Sequence, residues 1–378
     1  MIYLDNAATT RLAPEVLKEM LPYYEEYYGN PSSIYYFSAS CRDALDNARQ
    51  RVAKAIAARP SEIFFTGGGS ESDNWALEGI ASAAKGKGNH VITTSIEHHA
   101  VLNTARYLEN MGYRITYVPV DRNGMVDPGD IKKAITKDTI LISVMYANNE
   151  VGTLQPIREI GSIARDNGIY LHTDAVQAAG HIPIDVNNDM VDLLSMSAHK
   201  FNGPKGVGAL YIREGVDIHP LIHGGAQERN RRAGTENVPG IVGMGRAIET
   251  AAERSCEENA RITHMRDVMT DKIFSSITDV RLNGHPDKRL PGIINIEIDG
   301  VSGDTLLMNL DMAGIYVSSG SACTSGSPEP SHVLLAMGKT EEEARSSVRI
   351  SIGRYNTEEE IGIAVLELAQ IVSRLRNI

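Results

Sequence analysis

Short apolar runs alternate with helical stretches from Glu62 to Gly208, and this alternation narrows the fold more than any other feature. EIFFT, HVITTS, RITYVPV, ILISVMYA, IYLHTD and VDLLSMS read as buried strands, with helical sequence or a glycine turn between them. The pattern implies an α/β chain with a mainly parallel sheet covered by helices on both faces. In such sheets a ligand sits beyond the carboxyl ends of the strands. Polar residues gather at five of those ends: Ser70, Glu97 to His99, Asn148 to Glu150, Asp174 with Gln177, and Ser197 with His199 and Lys200.

Lys200 stands at the end of the apolar run VDLLSMSAHK, before FNGPKGVG. An ammonium is costly to bury, so a lysine here is either exposed or held for chemistry as an amine or imine. We read it as the carrier of pyridoxal phosphate in a Schiff base. Strand EIFFT runs through Gly67, Gly68, Gly69 and Ser70 into a helix, a geometry whose free amides and positive dipole end hold phosphate. The spacing is neither GxGxxG nor a P-loop, and three glycines in a turn need no ligand of their own. Asp174 taken alone could cap the next helix. Near a buried lysine and a phosphate turn, it becomes a partner for a pyridine nitrogen, which keeps the ring protonated and able to stabilise a carbanion.

His98 and His99 follow HVITTS without an HExxH or CxxC partner, so no metal site is expected. A histidine against an aromatic cofactor, acting as acid and base, fits better. Cys323 lies in SSGSACTSGSPEPS, a Ser/Gly/Pro loop where a thiol is a liability unless used, and is the candidate nucleophile. Cys41 falls on the apolar face of a helix and Cys256 in a charged helix; neither is assigned a task. Arg349, in VRISIGR, is a candidate carboxylate clamp, with a surface salt bridge as the ordinary alternative.

The chain of 378 residues suggests roughly two to three domains. We place a large cofactor-binding domain at 15–255. Residues 1–14 and 256–378 form a smaller α+β domain that carries the Cys323 loop. The charged helical stretch after Ser255 is taken as the linker, and GGAQERNRRAGTEN as a solvated polar loop with three arginines. A net charge of −11 argues against general nucleic-acid binding. MIYLDNAATT lacks a signal peptide's features, no apolar run is long enough for a bilayer, and three widely spaced cysteines suit a reducing cytosol.

YLDNAATT, GNPSS, ESDN, HTDAVQ, SAHKFNGPKG, RRAGT and SSGSACTSG together resemble the cysteine desulfurases of the NifS/IscS type, within the class-V aminotransferase family of pyridoxal phosphate fold type I. The likeness runs from Tyr3 to about Leu375. It implies that Lys200 binds the cofactor and shuttles the substrate Cα proton, while Asp174 pairs with the ring nitrogen. It also implies that Gln177 bonds the ring oxygen and His98 lies over the ring as acid or base. Gly69, Ser70, Ser197 and His199 would hold the phosphate, with Thr235 reaching in from the other subunit of a homodimer. Asn149 and Arg349 would bind the carboxylate of L-cysteine, and the Cys323 thiolate would attack its sulfur. Alanine and a Cys323 persulfide would result, the sulfur passing to a protein acceptor for iron–sulfur assembly or tRNA thiolation. Ser70 stands where threonine is common but keeps the hydroxyl, and Tyr35 stands where many relatives have histidine. The loop from Ser318 to Pro330 has the longer form associated with direct persulfide delivery. A selenocysteine lyase or small-amino-acid aminotransferase of the same fold is the near alternative, and neither requires the thiol. A non-catalytic binding module has no need of Lys200, Asp174 and Cys323 together.

Overall fold

Seven strands form the central sheet in a computed structural model that describes residues 1–319 and 329–377. In chain order, β1 is Ile2–Tyr3, β2 Ile63–Thr66, β3 His90–Thr94, β4 Arg114–Val118, β5 Thr139–Ser143, β6 Tyr170–Asp174, β7 Leu193–Ser197 and β8 Gly208–Ile212. The sheet order is β2-β8-β7-β6-β5-β3-β4, and every pairing from β7 to β4 is parallel. β8 runs against both neighbours. The segment 201–207 explains this, because a parallel return needs a crossover of a dozen or more residues. Lys200 thereby stands near the start of the connection, residues 198–207, that reverses the chain into β8.

Alternate residues of the same strands enter two different cores. Phe65, Ile92, Ile142, Leu194 and Ala209 pack on one face, with Val52 of the helix Ala39–Ala55 and Ile160 of Ile157–Asp166. Phe64, Val91, Leu141, Leu193 and Leu210 pack on the other, with Trp75, Leu77 and Ile80 of the helix Gly69–Ala83. Both faces are therefore covered, which is why these strands read as nearly continuous apolar runs.

A third cluster gathers Ile2 and Leu4 with residues from Ile262 onward. Its frame is an antiparallel sheet of β9 (Val280–Asn283), β10 (Ile293–Ile298) and β12 (Ser347–Ser351), in the order β12-β10-β9. β11 (Ile315–Tyr316) pairs in parallel with β1, so the N-terminal strand does join this part of the chain.

The charged helical stretch after Ser255 lies within one unbroken 39-residue helix, Val238–Ser276, which joins the first cluster to the third. Its residues after Gly245 include no glycine or proline, and Ala, Glu and Arg favour a helix without help from packing. The arginine-rich segment is largely exposed, as expected of a solvated polar loop, but it also has a structural task. It covers the free edge of β2: Glu228 accepts from Phe65 N at 3.0 Å, and Arg229 donates to Ile63 O at 2.6 Å. Glu228 also takes two bonds from buried Arg49 at 2.8 Å, while Arg229 lies 4.3 Å over the Phe64 ring. An uncovered strand edge is a template for pairing with other chains, and these side chains close it.

Candidate active site

The strand ends of the central sheet open into a cleft of about 220 Å³. It is lined by Gly69, Ser70, His98, Asn149, Asp174, Gln177, Ser197, His199, Lys200 and Arg349, together with the N-terminal Ala7 and Ala8. Expected site residues scattered over the sequence thus meet in one place. Thr235 is exposed and outside this lining, although Arg232, close by in sequence, is tied to Glu71 at 2.8 Å. Cys323 lies outside the described residues, as does most of the loop expected from Ser318 to Pro330. The two ends of that stretch are anchored at the cleft. Ser318 exchanges backbone bonds with Arg349 at 2.6 and 3.0 Å, and Ser331 donates to Glu150 at 2.5 Å.

Lys200 ends the short helical turn that follows β7. Its Nζ donates to the carbonyls of Ala7 and Ala8 at 2.6 and 2.9 Å. Gln177 donates to the same Ala7 carbonyl at 2.9 Å, so one N-terminal turn touches two of the expected ligands. Asp174, at the end of β6, accepts from Val176 N at 2.9 Å, and burial pushes its carboxyl up to about 6. A carboxylate raised by burial is stabilised by a cation placed against it.

His98 caps the helix His99–Asn110, its Nδ1 accepting from Ala100 N at 3.1 Å. Burial, then the charges of Lys200, His99 and His332, push it down to about 4. The ring is neutral near pH 7, and with Nδ1 accepting, its proton sits on Nε2. His199 is held down to about 4 by burial and then by Lys200, with Nδ1 3.1 Å from Thr9 Oγ1. Arg349 is 2 % exposed, which removes the surface-salt-bridge alternative.

Asp5, Asp73 and His332 are not among the expected site residues, and Glu97 is expected there only as a polar residue at a strand end, without a role. Asp5 binds Arg349, Asp73 lines the cleft, and the His332 ring lies 4.7 Å from the His99 ring, tilted by 45°. Helical spacing was the available signal for Asp73, which falls on the same face as Gly69 and Ser70. Glu97 Oε1 accepts from Thr94 at 2.6 Å and Met145 N at 3.0 Å, while Oε2 is buried without a partner among the described residues. Burial raises Glu97 to about 8, so it is neutral at pH 7. The stability contributed by the neutral carboxyl is complete below the unfolded value of about 4.5 and is lost as pH rises to about 8. Glu97→Gln should therefore gain on the native protein by roughly 1.4 kcal/mol per pH unit across that window. Thermal unfolding of both proteins between those limits checks this, and a difference that does not change with pH contradicts it.

Pyridoxal phosphate fits the cleft. The helix Gly69–Ala83 starts with no side-chain cap, leaving its first amides for an anion. A Cβ on Gly69 would sit 2.6 Å from Val176 Cγ2, and Gly68 has φ +152°, so this cradle admits only glycine at both positions. The buried Asp174 suits a protonated ring nitrogen, and an amine stands in the same cleft for an aldehyde.

The aminotransferase class-V family model matches residues 2–363. A cysteine desulfurase IscS of Clostridium botulinum is 55% identical over 378 residues, covering 100% of this chain and 95% of the relative. One of Methanosarcina thermophila is 54% identical over 376 residues, covering 100% and 93%. Among solved structures, a NifS-like protein superposes with a TM-score of 0.93 at 41% identity, covering 99% of each chain. SspA in complex with cysteine superposes with a TM-score of 0.83 at 37% identity, covering 94% of this chain and 100% of that one. A lysine-bearing hairpin at a strand end, an uncapped helix start opposite it and this likeness along the full length have one common explanation: the chain belongs to the class-V aminotransferase family, among its pyridoxal phosphate-dependent cysteine desulfurases of the NifS/IscS type.

Proposed function

We propose that this chain takes the sulfur from L-cysteine, leaving L-alanine and a persulfide on Cys323 that passes to a protein acceptor for iron–sulfur cluster assembly or tRNA thiolation. The observation that carries the reading is the meeting of Lys200, Asp174 and Arg349 in one cleft on a cysteine desulfurase frame. The related SspA structure holds cysteine, which supports the substrate.

Gly69, Ser70, Ser197 and His199 would hold the phosphate, Asp174 the ring nitrogen and Gln177 the ring oxygen, with His98 as a further cofactor-binding residue. When bound, pyridoxal phosphate supplies an aldehyde for the amino group and a protonated ring that accepts the electron pair of a departing Cα proton. Arg349 and Asn149 bind and orient the substrate carboxylate. Lys200 takes the Cα proton at Nζ. His98, with its proton on Nε2, is a donor at the cleft wall. The Cys323 thiolate attacks the substrate sulfur; a sulfur–sulfur bond forms as the carbon–sulfur bond breaks, its electron pair staying with the carbon that becomes the alanine methyl group. Tethers at Ser318 and Ser331 support delivery of that thiol to the cleft.

The assembly in this reading is a homodimer in which Thr235 completes the neighbouring site. Its exposure outside its own chain's cleft supports this, as does an exposed apolar patch of Tyr24, Tyr28, Ile34, Tyr35 and Tyr36. Two domains, 15–255 and 1–14 with 256–378, agree with separate cores on either side of the long helix. Among the described residues no helix is long and apolar enough to cross a membrane, and no group of three metal-binding side chains occurs. We place the enzyme in the cytoplasm, with neither membrane nor nucleic acid as partner.

The test is product analysis of the cofactor-loaded enzyme with L-cysteine and excess thiol. Equal amounts of alanine and sulfide are expected; pyruvate in place of alanine overturns the reading. Arg349→Ala should raise KM on the order of 10²-fold, the scale of a lost charge-assisted hydrogen bond.

A further inference from the structure

Asp5 has no task in the reading above, yet it is bound to the arginine that reading uses. Its Oδ1 accepts from Arg349 Nη2 at 2.8 Å, and the two side chains are 19% and 3% exposed. Arg349 Nη1 donates to Asn149 O at 2.9 Å. Nε is buried and, among the described residues, has no hydrogen-bond partner. Each outer nitrogen of the fork is thus anchored by protein through one N–H and carries a second, so donors for a carboxylate remain in a residue that lines the cleft.

Asp5 is itself held firmly. It stands opposite Ser351 in a parallel bridge, and Ser351 N donates to Leu4 O at 2.7 Å. The Tyr3 hydroxyl lies 3.0 Å from Asp5 O and 2.8 Å from Thr9 O, closing the turn between them. Ala7 N donates to Ser351 Oγ at 2.9 Å, and Asn6 Nδ2 to Ser351 O at 2.8 Å. The next residues of that turn, Ala7 and Ala8, accept from Lys200. A single stapled segment therefore contacts both cationic side chains of the cleft.

We infer that Asp5 is a positioning residue for substrate recognition: by fixing one nitrogen of the Arg349 fork, it keeps the guanidinium aligned for the α-carboxylate of the incoming amino acid. The inference rests on the proposed role of Arg349. An arginine has several rotatable bonds, and freezing them before the ligand arrives moves their entropic cost out of the binding step. The competing account is that Asp5 only offsets a buried charge. Removing it would then leave the cleft more attractive to carboxylates and lower KM.

Steady-state kinetics with L-cysteine on cofactor-loaded Asp5→Ala, Asp5→Asn, Asp5→Glu and Arg349→Ala separate these accounts. Asp5→Ala should raise KM about tenfold, the scale of one side chain that must be immobilised on binding, with kcat nearly unchanged and the yellow cofactor colour intact. Asp5→Asn keeps an oxygen in the same place without the charge, and should restore KM to within about threefold of the native value, well short of that penalty. Asp5→Glu keeps the charge but displaces the oxygen, and should raise KM; it tests the same claim if the alanine variant does not fold. An unchanged or lowered KM in Asp5→Ala or Asp5→Glu overturns the inference, as does an asparagine variant as impaired as the alanine one. If Arg349→Ala itself leaves KM unchanged, the clamp assignment has failed and the inference with it. If Arg349→Ala raises KM and the Asp5 variants do not, the inference alone is wrong.

Discussion

Lys200→Ala should emerge colourless from incubation with pyridoxal phosphate and form alanine from L-cysteine more slowly by a factor on the order of 10³. In the proposed reading two tasks end with that one amine: the attachment of the cofactor, and the removal of the Cα proton. The surroundings hold the amine in the cleft. β7 brings it to the cleft, the short return to β8 fixes the turn, and the Ala7 and Ala8 carbonyls hold Nζ at 2.6 and 2.9 Å. Absorbance spectra before and after cofactor addition check the first effect, and alanine assays the second. A variant that turns yellow like the native enzyme would show that another amine carries the cofactor.

Cys323→Ala should show the opposite split. Cofactor colour and the spectral response to L-cysteine should persist, while alanine and sulfide formation fall on the order of 10³-fold, the cost of losing a nucleophile from a concerted site. The other cysteines sharpen this comparison. Cys41 is buried, its thiol donates to Tyr27 O at 3.1 Å, and burial raises its pKa, all of which suit packing and not nucleophilic attack. Cys256 is exposed on the long helix, and neither residue lines the cleft. Cys41→Ala and Cys256→Ala should keep native turnover. Full activity in Cys323→Ala, or loss of turnover in either of the others, would move the nucleophile elsewhere.

Much of this was legible in the chain because strand ends are marked twice, by the end of an apolar run and by the polar residue that follows. Asp174, His98, Ser197 and Lys200 all carry that double mark, and all line the cleft. The unread contributions come from long-range pairings that have no local signature. Asp5 meets Arg349 only because the chain just after β1 bridges Ser351 of β12, far away in sequence. The reversed strand β8 was hidden because an apolar run looks the same in either direction. The arginine-rich segment reads as solvated because its partner, the β2 edge, is far away in sequence. The charged stretch after Ser255 reads as helical, and its continuity with the helix before it has no separate local mark, since charge on a solvent-facing surface neither interrupts a helix nor ends one. Thr235 lies outside the cleft lining of one chain, and the role proposed for it requires a second copy.

The account stands most directly on where the sulfur goes. The cofactor-loaded enzyme should be mixed with one equivalent of L-cysteine, alkylated, digested and its peptides weighed, with alanine measured in the same sample. The expected result is one additional sulfur on the peptide containing Cys323, matched by an equal amount of alanine. Alanine formed while that peptide stays unchanged, or additional sulfur on the peptides of Cys41 or Cys256, would contradict it.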